Sequence, residues 1–99
     1  MRAVRFLPAA INDLDRIFLH YAQDRKVPDV AQTILDAIYS ESESNITSTP
    51  EIGRKLSWRE DGLRAYLTRY GHWVFYTYDD ALVYVHKVAH GRELQNFNL

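Results

Sequence analysis

From Gly62 to Arg92 the chain reads GLRAYLTRYGHWVFYTYDDALVYVHKVAHGR. Three short runs of aromatic and β-branched residues are broken at Tyr70-Gly71 and Asp79-Asp80. That pattern predicts three antiparallel strands joined by tight hairpins. In the first strand Leu63, Ala65 and Leu67 alternate with Arg64, Tyr66 and Thr68, and the apolar set is expected to meet the rest of the fold. The second sets Trp73, Phe75 and Thr77 against Val74, Tyr76 and Tyr78. The third sets Val83, Val85 and Lys87 against Tyr84, His86, Val88 and His90. The last two strands are apolar on both sides, which predicts an outer face that is either covered or a binding surface; the reading taken is a binding surface.

The preceding half reads as a helical cover. Arg2 to Leu7 alternates as a short strand and stops at Pro8, which also suits a helix start. From Ala9 to Tyr21 the apolar residues Ile11, Leu14, Ile17, Phe18 and Tyr21 recur at helical spacing. Asp13 and Asp15 sit in the early turns, where they suit the helix dipole. Gln23 to Val27 is a polar connector. Pro28-Asp29 opens a second helix with Ala31, Ile34, Leu35, Ile38 and Ile46 on its stripe, fraying near Thr47. The two helices form a hairpin. Pro50 and Gly53 punctuate a loop running to Asp61, with one short strand expected near Lys55–Trp58. The fold class is therefore α+β, ordered β-α-α-β-β-β, with an antiparallel twisted sheet and a helical hairpin on one face.

Residues 1–99 make a single domain, and with 46% hydrophobic residues its core is real but small. The absence of cysteine excludes disulfides and thiolate metal sites and fits a cytoplasmic protein. No signal peptide is read at the charged N-terminus and no apolar run is long enough to span a membrane. Charge is uneven: residues 1–53 hold five basic and eight acidic side chains, residues 54–99 seven and five. The sheet half is mildly cationic, too weakly to select a partner.

Five motifs occur in register with these elements: Ala10-x3-Leu14-x2-Ile17, Pro50-x2-Gly53-Arg54, Gly62-Leu63-Arg64, Val74-Phe75-Tyr76 and Val88-Ala89-His90-Gly91-Arg92. Together they resemble the RelE/ParE toxin superfamily, the ParE (plasmid-stabilisation) branch above all, over nearly the whole chain. The resemblance implies a bacterial toxin of a type II toxin-antitoxin system, neutralised by a cognate antitoxin in a hetero-oligomer. It also implies one of two activities. ParE-like members inhibit DNA gyrase by protein binding; RelE-like members cut mRNA on the ribosome.

Ribonucleolytic transfer needs a base, an acid and cations held together. Against the RelE-like pattern the chain keeps Arg64 and Arg92. It has Tyr66 in place of a lysine, Trp73 in place of an arginine, and Phe97 in a tail without tyrosine. An indole cannot neutralise phosphate, so the residues favour a non-enzymatic inhibitor, with the ribosome-dependent endoribonuclease as the alternative. In that alternative Arg64, Arg92 and His90 would be catalytic. The candidates for contact with target or antitoxin are Arg54, Arg64, Tyr66, Tyr76, His90 and Arg92. Each has a plain structural reading beside it: ion pairs for the arginines, cross-strand packing for the tyrosines, and a hydrogen-bonded strand end for His90. The ParE-like pattern continues after His-Gly-Arg with a second arginine and an aspartate, where this chain has Glu93 and Leu94. His86 and His90, four apart on one strand, lie about 13 Å apart and cannot chelate one ion. No metal or cofactor is expected, and no glycine-rich phosphate loop is present.

Overall fold

The computed structural model describes residues 2–57 and 59–91. Strand β1 (Ala3–Phe6) leads into α1 (Pro8–Leu19) and α2 (Pro28–Glu41), followed by β2 (Arg54–Lys55), β3 (Arg64–Leu67), β4 (His72–Tyr78) and β5 (Leu82–His90). Both helices begin with proline in the first turn, where its missing N–H costs nothing. Each ends in a single π turn, His20–Asp24 after α1 and Ser42–Ile46 after α2. The predicted short strand is β2, placed at Arg54–Lys55; Trp58 lies outside the described residues.

The five strands form one sheet in the order β1-β5-β4-β3-β2. The predicted meander is antiparallel. The expectation of an antiparallel sheet needs one correction: β1 runs parallel to β5, with Val4 opposite Val83 and Phe6 opposite Val85. The α1–α2 hairpin is the crossover that a parallel pair requires, and the alternation within β1 carries no information about its direction.

The main core lies between helices and sheet. Leu14 of α1, Ile34 and Ile38 of α2, and Ile46 pack on Val74, Tyr76, Val83, Val85 and Val88. The inward face of α1 is offset from the predicted stripe. Ile11 is 46% exposed, while Asp13 is 3% exposed. Asp13 is drawn in by unmet donors on β5. Its carboxylate accepts the Val88 N–H at 3.0 Å and Lys87 Nζ at 3.3 Å, and it pairs with Arg16 one turn on.

Three expectations about the sheet faces are overturned. The Leu63–Ala65 side of β3 faces away from the helices; Tyr66 is the β3 side chain packed on the helix-side core. A tyrosine can bury its ring and keep its hydroxyl bonded, so the plainly apolar set did not mark the helix side. The outer face is not an open binding surface: Phe75, Ala65 and Ala89 are buried there beneath Leu56 and Leu63, with Trp73 against them. The loop supplying Leu56 and Leu63 is folded back on itself by a Leu56 N–H to Leu63 carbonyl bond of 3.2 Å. Finally, the alternation along β5 breaks. Tyr76 pairs with Val85 and Phe75 with Lys87, so His86 is an extra residue in a β-bulge. Beyond it Val88 joins Val83 and Val85 in the helix-side core, and Ala89 turns outward.

Candidate functional site

The structure scatters the sequence candidates. Arg64 donates through Nη1 to the carbonyls of Gly53 at 2.8 Å and Glu51 at 3.2 Å, so it clamps the loop before β2. The Tyr66 hydroxyl donates to Glu41 Oε1 at 2.9 Å and accepts from Asn45 Nδ2 at 2.9 Å, tying β3 to the end of α2. Desolvation raises its pKa above the usual phenol value, with the Asn45 bond pulling the other way and Glu41 adding to the rise. Tyr76 is fully buried; its hydroxyl donates to the Pro50 carbonyl at 2.5 Å and accepts the Gly53 N–H at 2.8 Å. Arg54 is exposed on β2 at the sheet edge. These four sit together at the β2–β3 side. His90 is at the far end of β5, opposite His72. By register, His72 is four residues from Tyr76, the partner of Arg64, or about 13 Å along the strand. Arg92 and the tail from Glu93 lie outside the described residues.

At the His90 end, the π turn after α1 and the ends of β4 and β5 enclose an open cleft of about 530 Å³. The apolar part of its lining is Ile17, Val88 and Ala89. Its remaining lining is Tyr21 and five basic side chains, Arg16, His20, Arg25, His72 and His90. The π turn closes with the Arg25 N–H on the His20 carbonyl at 3.0 Å, a five-residue spacing that brings both residues to one rim. His20 Nδ1 lies 3.7 Å from Asp24.

His72 is the unusual member. It is 1% exposed, and its Nδ1 has no hydrogen-bond partner. Its ring stands edge to face with His90 at 5.4 Å and with Tyr21 at 6.4 Å between centroids. Burial, with His90 adding a smaller electrostatic push, lowers the His72 pKa from 6.5 to about 4. At neutral pH it is thus a neutral imidazole, with one donor and one acceptor nitrogen. Such a group in a basic cleft can bind an anion through its N–H without competing as a charge.

Sequence reasoning named His90 as a candidate but left His72, Arg16, Tyr21 and Arg25 out of the candidate set. Arg16 on α1 and His20 at the start of the π turn, four residues apart in one helical run, were a legible signal for a shared helix face. The π turn that adds Arg25 was not. Among the described residues, no group of three His, Asp or Glu could hold a metal ion, and no helix is long and apolar enough to cross a membrane.

The architecture defines the class: an α+β fold of RelE/ParE-like type. It is similar to a chain from the chromosomal ParDE TA system of P. aeruginosa, with a TM-score of 0.74 at 15% identity over 91% of this chain and 96% of that one. It is also similar to a chain of the toxin-antitoxin complex RelBE2 from Mycobacterium tuberculosis, with a TM-score of 0.60 at 21% identity over 90% and 96%. No curated protein sequence matches significantly. The family model for the ParE toxin of type II toxin-antitoxin system, parDE, matches residues 4–95. The chain belongs to that ParE toxin family.

Proposed function

We propose that this ParE-family toxin arrests growth by binding DNA gyrase without cutting RNA, and that a cognate antitoxin silences it. One observation carries the choice between activities. Arg64 and Tyr66, where a RelE-like nuclease would present its chemistry on β3, are bonded to the chain's own carbonyls and to α2. A guanidinium held on two carbonyls and a phenol with a raised pKa supply neither a free phosphate clamp nor a base. The open apolar sheet face that first suggested protein binding is not part of this support, since it is covered.

A second reading, ribosome-dependent mRNA cleavage, is favoured by one feature: the His72–His90 pair beside Arg16 and Arg25. Purified toxin added to a gyrase supercoiling assay, and in parallel to translating ribosomes with mRNA, separates the two. Loss of supercoiling with intact mRNA is the expected result. Cleaved mRNA with unchanged supercoiling overturns the inhibitor reading.

A further inference from the structure

The cleft at the end of α1 has properties that the choice between gyrase and ribosome does not explain. Among the described residues no carboxylate lines it, although two arginines and three histidines do. Two acids of the adjoining helix and π turn are already engaged: Asp13 with Arg16, Lys87 and the Val88 N–H, and Asp24 toward His20. A buried imidazole nitrogen without a partner is rare in folded proteins, and His72 Nδ1 is one inside this wall. We infer that the cleft receives an acidic side chain of the antitoxin, its carboxylate accepting from His72 and paired with Arg25, its aliphatic stem lying on Ile17 and Val88. This rests on the toxin–antitoxin reading above.

The charge arithmetic favours a protein carboxylate over nucleic acid. Of the two arginines among the described lining residues, Arg16 already shares its charge with Asp13. Within that described lining Arg25 then contributes one fixed positive charge with no acid beside it, enough for one carboxylate and too little for a run of phosphates. The whole chain has net charge −1, which gives a polyanion no long-range attraction. A lining that mixes apolar with basic side chains suits an acidic residue flanked by apolar ones.

The test uses the full-length toxin and its cognate antitoxin. Binding is measured by calorimetry, and the imidazole resonances of toxin with ¹⁵N-labelled histidine are followed during the titration. The titratable and charged groups that line the cleft with His72 are Arg16, His20, Tyr21 and Arg25 from the helix side and His90 from β5, with Asp13 paired to Arg16 and Lys87; of these His90 lowers the His72 pKa. On binding, the His72 resonances should shift and its titration midpoint should rise, because a carboxylate favours the charged imidazole. Arg25→Glu, at an exposed position that leaves the fold intact, should weaken binding roughly tenfold. A lysine at the matching acidic position of the antitoxin should restore it. If the antitoxin binds while the His72 and His90 resonances stay fixed and Arg25→Glu binds as tightly as wild type, the cleft assignment is wrong and the toxin reading stands. If the wild-type protein binds no antitoxin, the toxin reading itself fails. If single-stranded RNA shifts His72 and the antitoxin does not, the cleft is a nucleic-acid site and the inference is overturned.

Discussion

The imidazoles of His72 and His90 meet edge to face across the β4–β5 ladder, with centroids 5.4 Å apart and planes at 86°. The pairing exists because the bulge at His86 advances β5 by one residue, setting His90 opposite His72. One ring is buried and the other half-buried at the cleft. Burial and the neighbouring His90 therefore both disfavour a proton on His72.

That gives a pH dependence of stability. His72 has its folded pKa lowered from 6.5 to about 4, first by burial and then by the charge of His90. Below about pH 6.5 the unfolded chain binds a proton that the folded chain refuses. Stability should therefore fall between about pH 6.5 and pH 4, by on the order of 2 kcal/mol, and this contribution should be flat above and below that window. His86, also lowered by burial, with Asp61 opposing and Arg59 reinforcing, acts with the same sign. Urea midpoints measured across the window check the slope. His72→Phe, which cannot protonate, should flatten it.

Asp13 links α1 to the part of β5 that lies beyond its pairing with β1. Removing its carboxylate strands the Val88 N–H in a buried place and leaves Lys87 and Arg16 without their acid. Asp13→Ala should cost about 2–4 kcal/mol, seen as a lower urea midpoint at unchanged slope. Asp13→Asn should cost less, because its amide oxygen still accepts from Val88. Equal losses for the two variants would show that the backbone contact contributes little.

Much of this fold was legible as alternation. The meander, both helices and the grouping of Val74, Tyr76 and Tyr78 on one face follow from spacing; which face meets the helices does not. What was hidden depends on tertiary contacts. Tyr66, not the apolar Leu63–Ala65 pair, faces the helices because Glu41 and Asn45 satisfy its hydroxyl. The bulge at His86 is held by Thr77 Oγ1 to His86 Nε2 at 2.8 Å, a cross-strand bond no periodicity announces. The candidate site was less legible still. Its basic residues come from a π turn and two strand ends that only the folded chain brings together.

Arg64 separates a structural arginine from a catalytic one. Its two carbonyl contacts hold the loop at Glu51 and Gly53. Arg64→Ala should lower stability by about 1–2 kcal/mol and leave growth arrest intact at a temperature where the variant is folded. Thermal melts and induced expression in cells read the two effects separately. Complete loss of arrest in a folded Arg64→Ala protein would support the nuclease reading.

Tyr76 and Gly53 form a lock whose parts should not act independently. The buried Tyr76 hydroxyl bonds the Pro50 carbonyl and the Gly53 N–H, at 2.5 and 2.8 Å. Tyr76→Phe removes the hydroxyl and leaves both backbone groups without it, a loss of about 2–3 kcal/mol. Gly53 has an ordinary extended backbone, φ −72° and ψ 149°, so conformation does not require glycine there. Space does: a Cβ would lie 2.7 Å from Tyr76 Cε1 and 2.9 Å from Cζ. The ring is enclosed by the core and anchored at its hydroxyl, so it cannot swing aside as an exposed side chain would. Gly53→Ala should therefore cost about 1–3 kcal/mol by overpacking. In the double variant the ring has lost its anchor and can settle away from the new methyl group. The combined loss should then be smaller than the sum of the single losses, by at least about 0.5 kcal/mol, as expected for residues in contact. Chemical denaturation of all four proteins closes the cycle. Additive losses would mean that the hydroxyl does not fix the position of the ring.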